Sequence, residues 1–355
     1  MSWSVPTLEK LLDQAIRRHR AELPGTDAYL WPNTEHVFLK TVAGLVHLNF
    51  EYLDWIKRQR FAHEADGDEL PAHGKAWNIA RNPASAAHGS IIITGTPGTT
   101  VGAGTIVQRS DAVQFATAAA VVIPAGGATD VAVTAVVAGA AGNTDALTIL
   151  TLAAPIAGVD EITVDSVGLG GGADIEDLEA YRSRILFRQW NEPMGGNEAD
   201  YVRWAFDVSG VTRVWAEALA FGPGTVGVWF MTDGSTANGI PGPVAVADVL
   251  AHLQSRRPST ARLVVKAPLE AKLDINIQGI RPTDAMQDKI SAEIDDVFRR
   301  RVAPSTPLAP FTFTSAAIWQ AVARVTGDVT HRVALPADVT LPTGYIPVKG
   351  TICYT

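Results

Sequence analysis

The chain has 355 residues, more than the roughly 100–200 usual for one domain, so two or three folded units are expected. With 47% hydrophobic and 19% charged residues, 31 Gly and 21 Pro, it reads as a folded, turn-rich protein and not a disordered one. The net charge of -8 has the wrong sign for neutralising phosphates, and the single cysteine, Cys353, excludes an internal disulfide framework or a cysteine-rich zinc site.

At the N-terminus, Met1 to Pro6 runs directly into an amphipathic charged helix, without the zones of a signal peptide. Leu8, Leu11, Leu12, Ala15, Ile16, His19 and Leu23 lie mostly three or four apart, which places them on one helix face, and Pro24-Gly25 ends the helix. A longer helix is predicted from Thr34 to about Phe61, where Phe38, Val42, Leu45, Asn49, Tyr52 and Ile56 step by four and three alternately. That heptad-like seam, with Asn49 as its one polar member, needs a partner surface, either the first helix or another subunit. The basic clusters Arg17 to Arg20, Arg58 to Arg60 and Arg299 to Arg301 fall in or at the ends of helical patterns and read as solvated faces.

After the acidic turn Glu64 to Glu69 the composition changes, and from His88 to Gly168 Val, Ile, Thr, Ala and Gly dominate. Short runs at Ser90–Thr94, Thr105–Arg109, Val113–Thr117, Val131–Val137 and Glu161–Val167 predict a compact β-rich domain. Residues 112–129 carry no charge, but Gln114, Pro124, Gly126 and Gly127 interrupt them, so no membrane insertion is expected. Gly170-Gly171-Gly172 reads as a flexible joint, and a helix is predicted to open at Ala173, with acidic residues crowding its start. Helices near 197–208 and 243–256 follow, with strands near 211–219, 225–232, 261–267 and 270–280. Further helices near 283–302 and 315–325, with strands near 329–335 and 346–353, complete the chain. Leu273, Ile275 and Ile277 alternate with polar residues, so a sheet with one wet face covered on the other by helices is expected. The expected fold class is α+β multidomain: a helical bundle segment (1–85), a β-rich, wing-like domain (86–170) and an α+β self-association region (171–355).

Searches for chemistry find little. The Gly-rich stretch Gly95 to Thr105 lacks the Gly-Lys-Ser/Thr ending of a phosphate loop and no helical pattern follows it. None of the eight histidines forms a His-x-His or His-Glu-x-x-His ligand pair, and the acidic turn lacks the spacing of a calcium loop. There is no Gly-x-Ser-x-Gly elbow. Two carboxylates joined only by folding, as glycosidases use, leave no local motif, so sequence does not close that route. No catalytic, cofactor-binding or metal-binding residue is assigned, and the chain is expected not to be an enzyme.

Gly171 to Glu176 with Tyr181-Arg182-Ser183-Arg184, Pro193-Met194-Gly195-Gly196-Asn197, Asp200 to Ala205, Gly210-Val211, Gly222 to Val226 and Arg257-Pro258 recur in an order that resembles the Baseplate J-like family of contractile phage tails. Upstream, Leu53-Asp54, Gly89, Ala103-Gly104-Thr105, Phe115-Ala116-Thr117, Ile123 to Gly127 and Gly139 to Asn143 fit the same pattern. Length and order resemble the Mu-like branch. Physically, Gly195-Gly196-Asn197 reads as a turn and N-cap, and Gly222-Pro223-Gly224 as a hairpin turn.

The resemblance implies a structural subunit of the baseplate wedge in the virion tail, assembled in the host bacterial cytoplasm, that rearranges to trigger sheath contraction. It implies self-association as two copies per wedge and contacts with other wedge proteins, the central hub or spike and tail fibre attachment proteins, while the acidic net charge leads us to expect no nucleic acid. Candidate subunit-interface residues are Phe38, Val42, Leu45, Asn49, Tyr52 and Ile56, with Trp204 and Trp215 among the C-terminal aromatics Trp190, Trp204, Trp215, Trp229 and Trp319. An equivalent subunit of a contractile bacteriocin or injection system fits the same residues. A glycan-binding tail module fits less well, because residues 88–168 contain no Trp or Tyr and Phe115 as their one Phe.

Overall fold

A computed structural model describes residues 4–30, 33–327, 330–334 and 339–355. The chain divides into two compact units, Met1–Ala80 and Arg81–Thr355.

The first unit is helical. Helix α1 (Leu8–Glu22) is capped by Thr7, whose hydroxyl accepts from Lys10 N, and α2 (Thr34–Gln59) by Asn33, which accepts from Glu35 N. The two pack on each other with Ile16 and Ala43 buried. A short α3 (Leu70–Ala76) follows the acidic turn. Trp55 Nε1 and Gln59 Nε2 each donate to Asp66 at 2.8 Å, so the turn is fastened to the last turns of α2.

The second unit begins with eight strands: β1 (His88–Gly95), β2 (Thr100–Val101), β3 (Ile106–Gln108), β4 (Gln114–Thr117), β5 (Val121–Val122), β6 (Ala128–Ala135), β7 (Ile149–Leu152) and β8 (Val159–Val164). Six close into an antiparallel barrel in the order β1-β6-β4-β3-β7-β8, with β8 returning to β1, while β2 and β5 pair separately. Alternation explains the filling: Ile91 and Ile93 on β1 and Val131 and Val133 on β6 point inward around Phe115. Two strands sit earlier than expected. Pairing with β1 starts β6 at Ala128, and beyond Ala135 both Val136 and Val137 are exposed. At the end of β8, Asp165 turns the chain by accepting from Ser166 N.

After the barrel come α4 (Leu178–Trp190), α5 (Glu198–Phe206), β9 (Arg213–Ala218), β10 (Thr225–Met231), α6 (Pro243–Arg256) and β11 (Arg262–Lys266). They are followed by β12 (Leu269–Gln278), α7 (Asp284–Arg301), β13 (Thr312–Phe313), α8 (Ser315–Thr326), β14 (Arg332–Ala334), β15 (Val339–Thr340) and β16 (Tyr345–Tyr354). The strand expected near 329–335 is β14; residues 329 and 335 lie outside the described residues.

Helices cover one face of each of two separate three-stranded sheets here. In the order β11-β10-β9, a hairpin across Gly222-Pro223-Gly224 joins β9 to β10, and α6 carries the chain over to the parallel β11. Tyr201 and Ala205 of α5 and Val249 and Leu253 of α6 pack on Val228 and Phe230. In the order β14-β12-β16, Leu273, Ile275 and Ile277 face Ile290 and Ile294 of α7 and Ile318 and Val322 of α8, while Asp274 and Gln278 stay exposed, as the alternation predicts. The fold is α+β and multidomain, with helices at the N-terminus.

Two local expectations are corrected. Helix α4 starts at Leu178 and not at Ala173, because Asp177 acts as the N-cap and accepts from Glu179 N at 2.9 Å. The glycine run is not a loose joint either. Gly170 exchanges both backbone hydrogen bonds with His88, and Gly172 is held by the Asn143 side chain.

Candidate functional site

Along α2 the seam residues are turned outward. Phe38 is 66% exposed, Leu45 59% and Tyr52 60%, and Val42, Asn49 and Ile56 are exposed as well. Within their unit the helix available to cover them is α1, which packs elsewhere on α2 around Ala43. Val37, Leu48 and Leu53 widen the bare surface beyond the seam, a feature sequence reasoning missed because it followed one heptad track. This apolar surface is the candidate interaction site of the first unit. At the far end Tyr52 and Trp55 stack at 5.7 Å, a flat aromatic ledge.

Trp204 and Trp215 lie elsewhere, in the second unit, and both are half-buried. Trp204 meets Tyr201 edge-on at 5.2 Å and packs against the core beneath α5 and α6. Trp215 carries the Arg213 guanidinium over its ring at 5.6 Å and packs on the core of the other sheet. Both tryptophans belong to a different unit from the α2 residues.

A polar cluster that sequence reasoning did not assemble joins the helices that follow the barrel. The Arg184 guanidinium on α4 donates to both carboxylate oxygens of Glu176, at 2.7 and 3.1 Å, and to Asp207 at 3.2 Å; Arg184 and Glu176 are both buried. Glu176 also accepts from Asn82 N, and its backbone carbonyl from Arg81 Nε at 2.6 Å. Asp207 in turn pairs with Arg256 at the end of α6. Carboxylates answered by guanidinium groups and backbone N–H form a structural clamp that ties the chain entering the barrel to α4, α5 and α6. Beside it, burial foremost, then the neighbouring Arg256, pushes the His252 imidazole below its ordinary pKa, and its Nε2 has no hydrogen-bond partner among the described residues.

A cleft of about 530 Å³ opens next to the glycine run, lined by Asn143 to Ala146, Gly168 to Gly172 and Gly242 to Ala245 among others. Its walls are mostly small residues, with Asp145 as the one charged side chain among those lining it. No group of three or more His, Cys, Asp or Glu residues that could hold a metal occurs among the described residues, and none of their helices is long and apolar enough to cross a membrane.

Residues 90–171 match the Baseplate J-like protein barrel domain, the same stretch that closes the barrel, and residues 193–267 match the Baseplate J-like central domain, which holds α5, α6 and the β9–β11 sheet. Baseplate protein gp47 of Escherichia phage Mu is 35% identical over 353 residues, covering 96% of this chain and 95% of that protein. The Mu-like prophage FluMu protein gp47 of Haemophilus influenzae is 29% identical, covering 99% of each. Among solved structures, a chain of the baseplate of the anti-feeding prophage, six-fold symmetrised, aligns with a TM-score of 0.40 at 12% identity, covering 97% of this chain and 90% of that one. With end-to-end similarity at this level and both domain types matched in order, the chain belongs to the Baseplate J-like family and is a Mu-like baseplate protein.

Proposed function

We propose that this protein is a wedge subunit of a contractile tail baseplate that works by packing against its neighbours and not by catalysis. The observation that carries the reading is the bare apolar surface of α2, which gains most of its stabilisation only when covered. Fully burying one Leu, Phe or Ile side chain contributes about 1.5–3 kcal/mol, so the outward residues of α2 together supply a large association energy. In this reading α2 enters a helical bundle with other wedge proteins, and Asn49 fixes its register there at some cost in stability. The barrel forms an outlying wing, and residues 171–355 associate with copies of themselves around the hub. Assembly takes place in the host cytoplasm, and the product sits in the virion tail.

Rearrangement on sheath contraction is then a switch between two packed arrangements of the same subunits. Electron microscopy of the intact tail, with and without Leu45→Glu, tests the whole reading. The expected result is α2 covered by other subunits in the native tail and baseplates failing to assemble with the variant. An α2 that stays bare in the assembled tail overturns the bundle role.

A further inference from the structure

We propose that the barrel carries an acidic docking site for a basic segment of another protein, with one lysine or arginine side chain of that segment seated in a pocket between β7 and β8. The site goes beyond the packing role of α2 and shares no residue with it.

Charge is spread unevenly along the chain. Residues 86–170 contain six carboxylates, Arg109 as their one arginine and no lysine, so most of the net charge of -8 lies in the barrel. Arg109 is consumed locally. Its guanidinium donates to both carboxylate oxygens of Asp111, at 2.8 and 2.7 Å, and also to the Thr144 hydroxyl, Asn143 O and Ala141 O. Asp130, Asp160, Glu161 and Asp165 have no ion-pair partner among the described residues. Lone exposed carboxylates are ordinary, but a barrel with one internally paired base presents a field of a single sign. Such a field attracts a basic surface and repels an acidic one.

Strand register gathers acids on one side of the barrel. Asp130 of β6 stands opposite Ile92 of β1, Ile92 opposite Thr163 of β8, and Thr163 opposite Ile149 of β7, which is 62% exposed. In the next row Ala128 faces Thr94, and Thr94 faces Glu161. Ile91, Ile93, Val131 and Ile162 point into the core, so these alternate residues lie outside. The outer surface is therefore threonine, isoleucine and carboxylate, with no base of its own.

A pocket of about 270 Å³ adjoins this surface at the connection from β7 to β8. Half-buried Leu152, Ile156 and Val159 line it from the core side, where they pack on the barrel interior, and exposed Asp160 and Glu161 line it from the solvent side. Its volume falls short of the roughly 300–1,000 Å³ of small-molecule clefts and fits one long side chain. Lysine and arginine lay their methylene stems on apolar surface and keep the charged head at the edge, which is the pattern this pocket complements. A second copy is the poorer occupant, because its barrel carries the same sign and the whole chain is acidic.

The test uses full-length protein in two settings. A fluorescent oligolysine peptide, titrated into the purified protein at low salt, should bind and be released as salt rises. Asp160→Asn with Glu161→Gln should weaken that binding about fivefold or more. Asp68→Asn with Glu69→Gln, an equally exposed acidic pair in the first unit, should leave it unchanged. Both double variants should keep the wild-type melting temperature, since all four side chains are in water. In intact tails, carbodiimide labelling should modify Asp160 and Glu161 less than in the purified chain. Electron microscopy of those tails should show a lysine or arginine of a different protein over the pocket. Peptide binding that ignores the Asp160 and Glu161 variant, or a pocket left bare or covered by another copy in the tail, overturns the proposal. The wedge reading stands after either failure, because it rests on α2.

Discussion

The clamp around Arg184 has a predictable worth, because the Arg184 and Glu176 side chains are largely out of water. Removing one partner of a buried pair leaves the other charge uncompensated, which costs about 3–5 kcal/mol, far more than a surface pair contributes. Arg184→Met should therefore lower stability by about 3 kcal/mol in a denaturant titration, while Arg17→Met, which breaks the exposed pair with Asp13, should leave it almost unchanged. His252 gives a pH signature. Its folded-state pKa lies below the ordinary imidazole value, so the unfolded chain binds the proton more readily. The stability it confers is complete above the unfolded pKa and is lost as pH falls below the ordinary value of 6.5 toward the depressed folded one. Denaturant midpoints measured between pH 7.5 and 5 should fall more steeply for the wild type than for His252→Gln. Parallel curves would mean that another group sets the acid limit. Neither the clamp nor the orphaned imidazole was legible in the sequence, since Glu176, Arg184, Asp207 and Arg256 meet only after four elements have been placed.

Elements were far more legible than the contacts between them. The four-three spacing of α2 gave its helical period, and the alternation in β12 gave both its period and its wet and dry faces, because each rests on neighbours along one element. The start of α4 was misplaced for a physical reason. Asp174, Glu176 and Asp177 look like a charged first helical turn, but Asp177 spends its carboxylate on capping and Glu176 is drawn inward by Arg184. Barrel closure and the split into two sheets depend on pairings such as β1 with β8 and β10 with β11, which leave no local periodicity. For α2 itself, Asn49→Leu tests whether the polar seam position sets alignment. Expected is tighter but less specific association, seen as a higher melting temperature of the co-purified baseplate complex together with mixed stoichiometries by native mass spectrometry. A variant that leaves both unchanged would place Asn49 outside the seam.

At the scale of the whole second unit, the barrel is joined to the rest through two strand segments lying side by side. Ser85 pairs with Ala173 and His88 with Gly170, each through two backbone hydrogen bonds of 2.8–3.1 Å, so the entering and leaving chains form one stem. A two-strand stem resists stretching and slippage but twists and bends, which suits a part that moves as a body. Few bonds oppose such motion: the His88 to Asp248 pair at 3.3 Å is largely open to solvent, and Asn143 reaches Ser235 O at 3.3 Å. The 530 Å³ cleft beside the stem leaves room for the barrel to close toward α6. Gly171 sits within the stem with φ of 76°, and a Cβ there would lie 2.8 Å from the Asp248 carboxylate and 2.9 Å from the His88 ring. Gly171→Ala should thus cost about 1–3 kcal/mol and push His88 and Asp248 apart, biasing the barrel toward one position. Superposing tails before and after contraction on the β9–β11 sheet tests the motion directly. We expect the barrel to rotate as a rigid body with the stem hydrogen bonds intact and the His88 to Asp248 pair broken in one state; a barrel that superposes with the sheet in both states would make the stem a fixed support, and the switch would then lie between subunits alone.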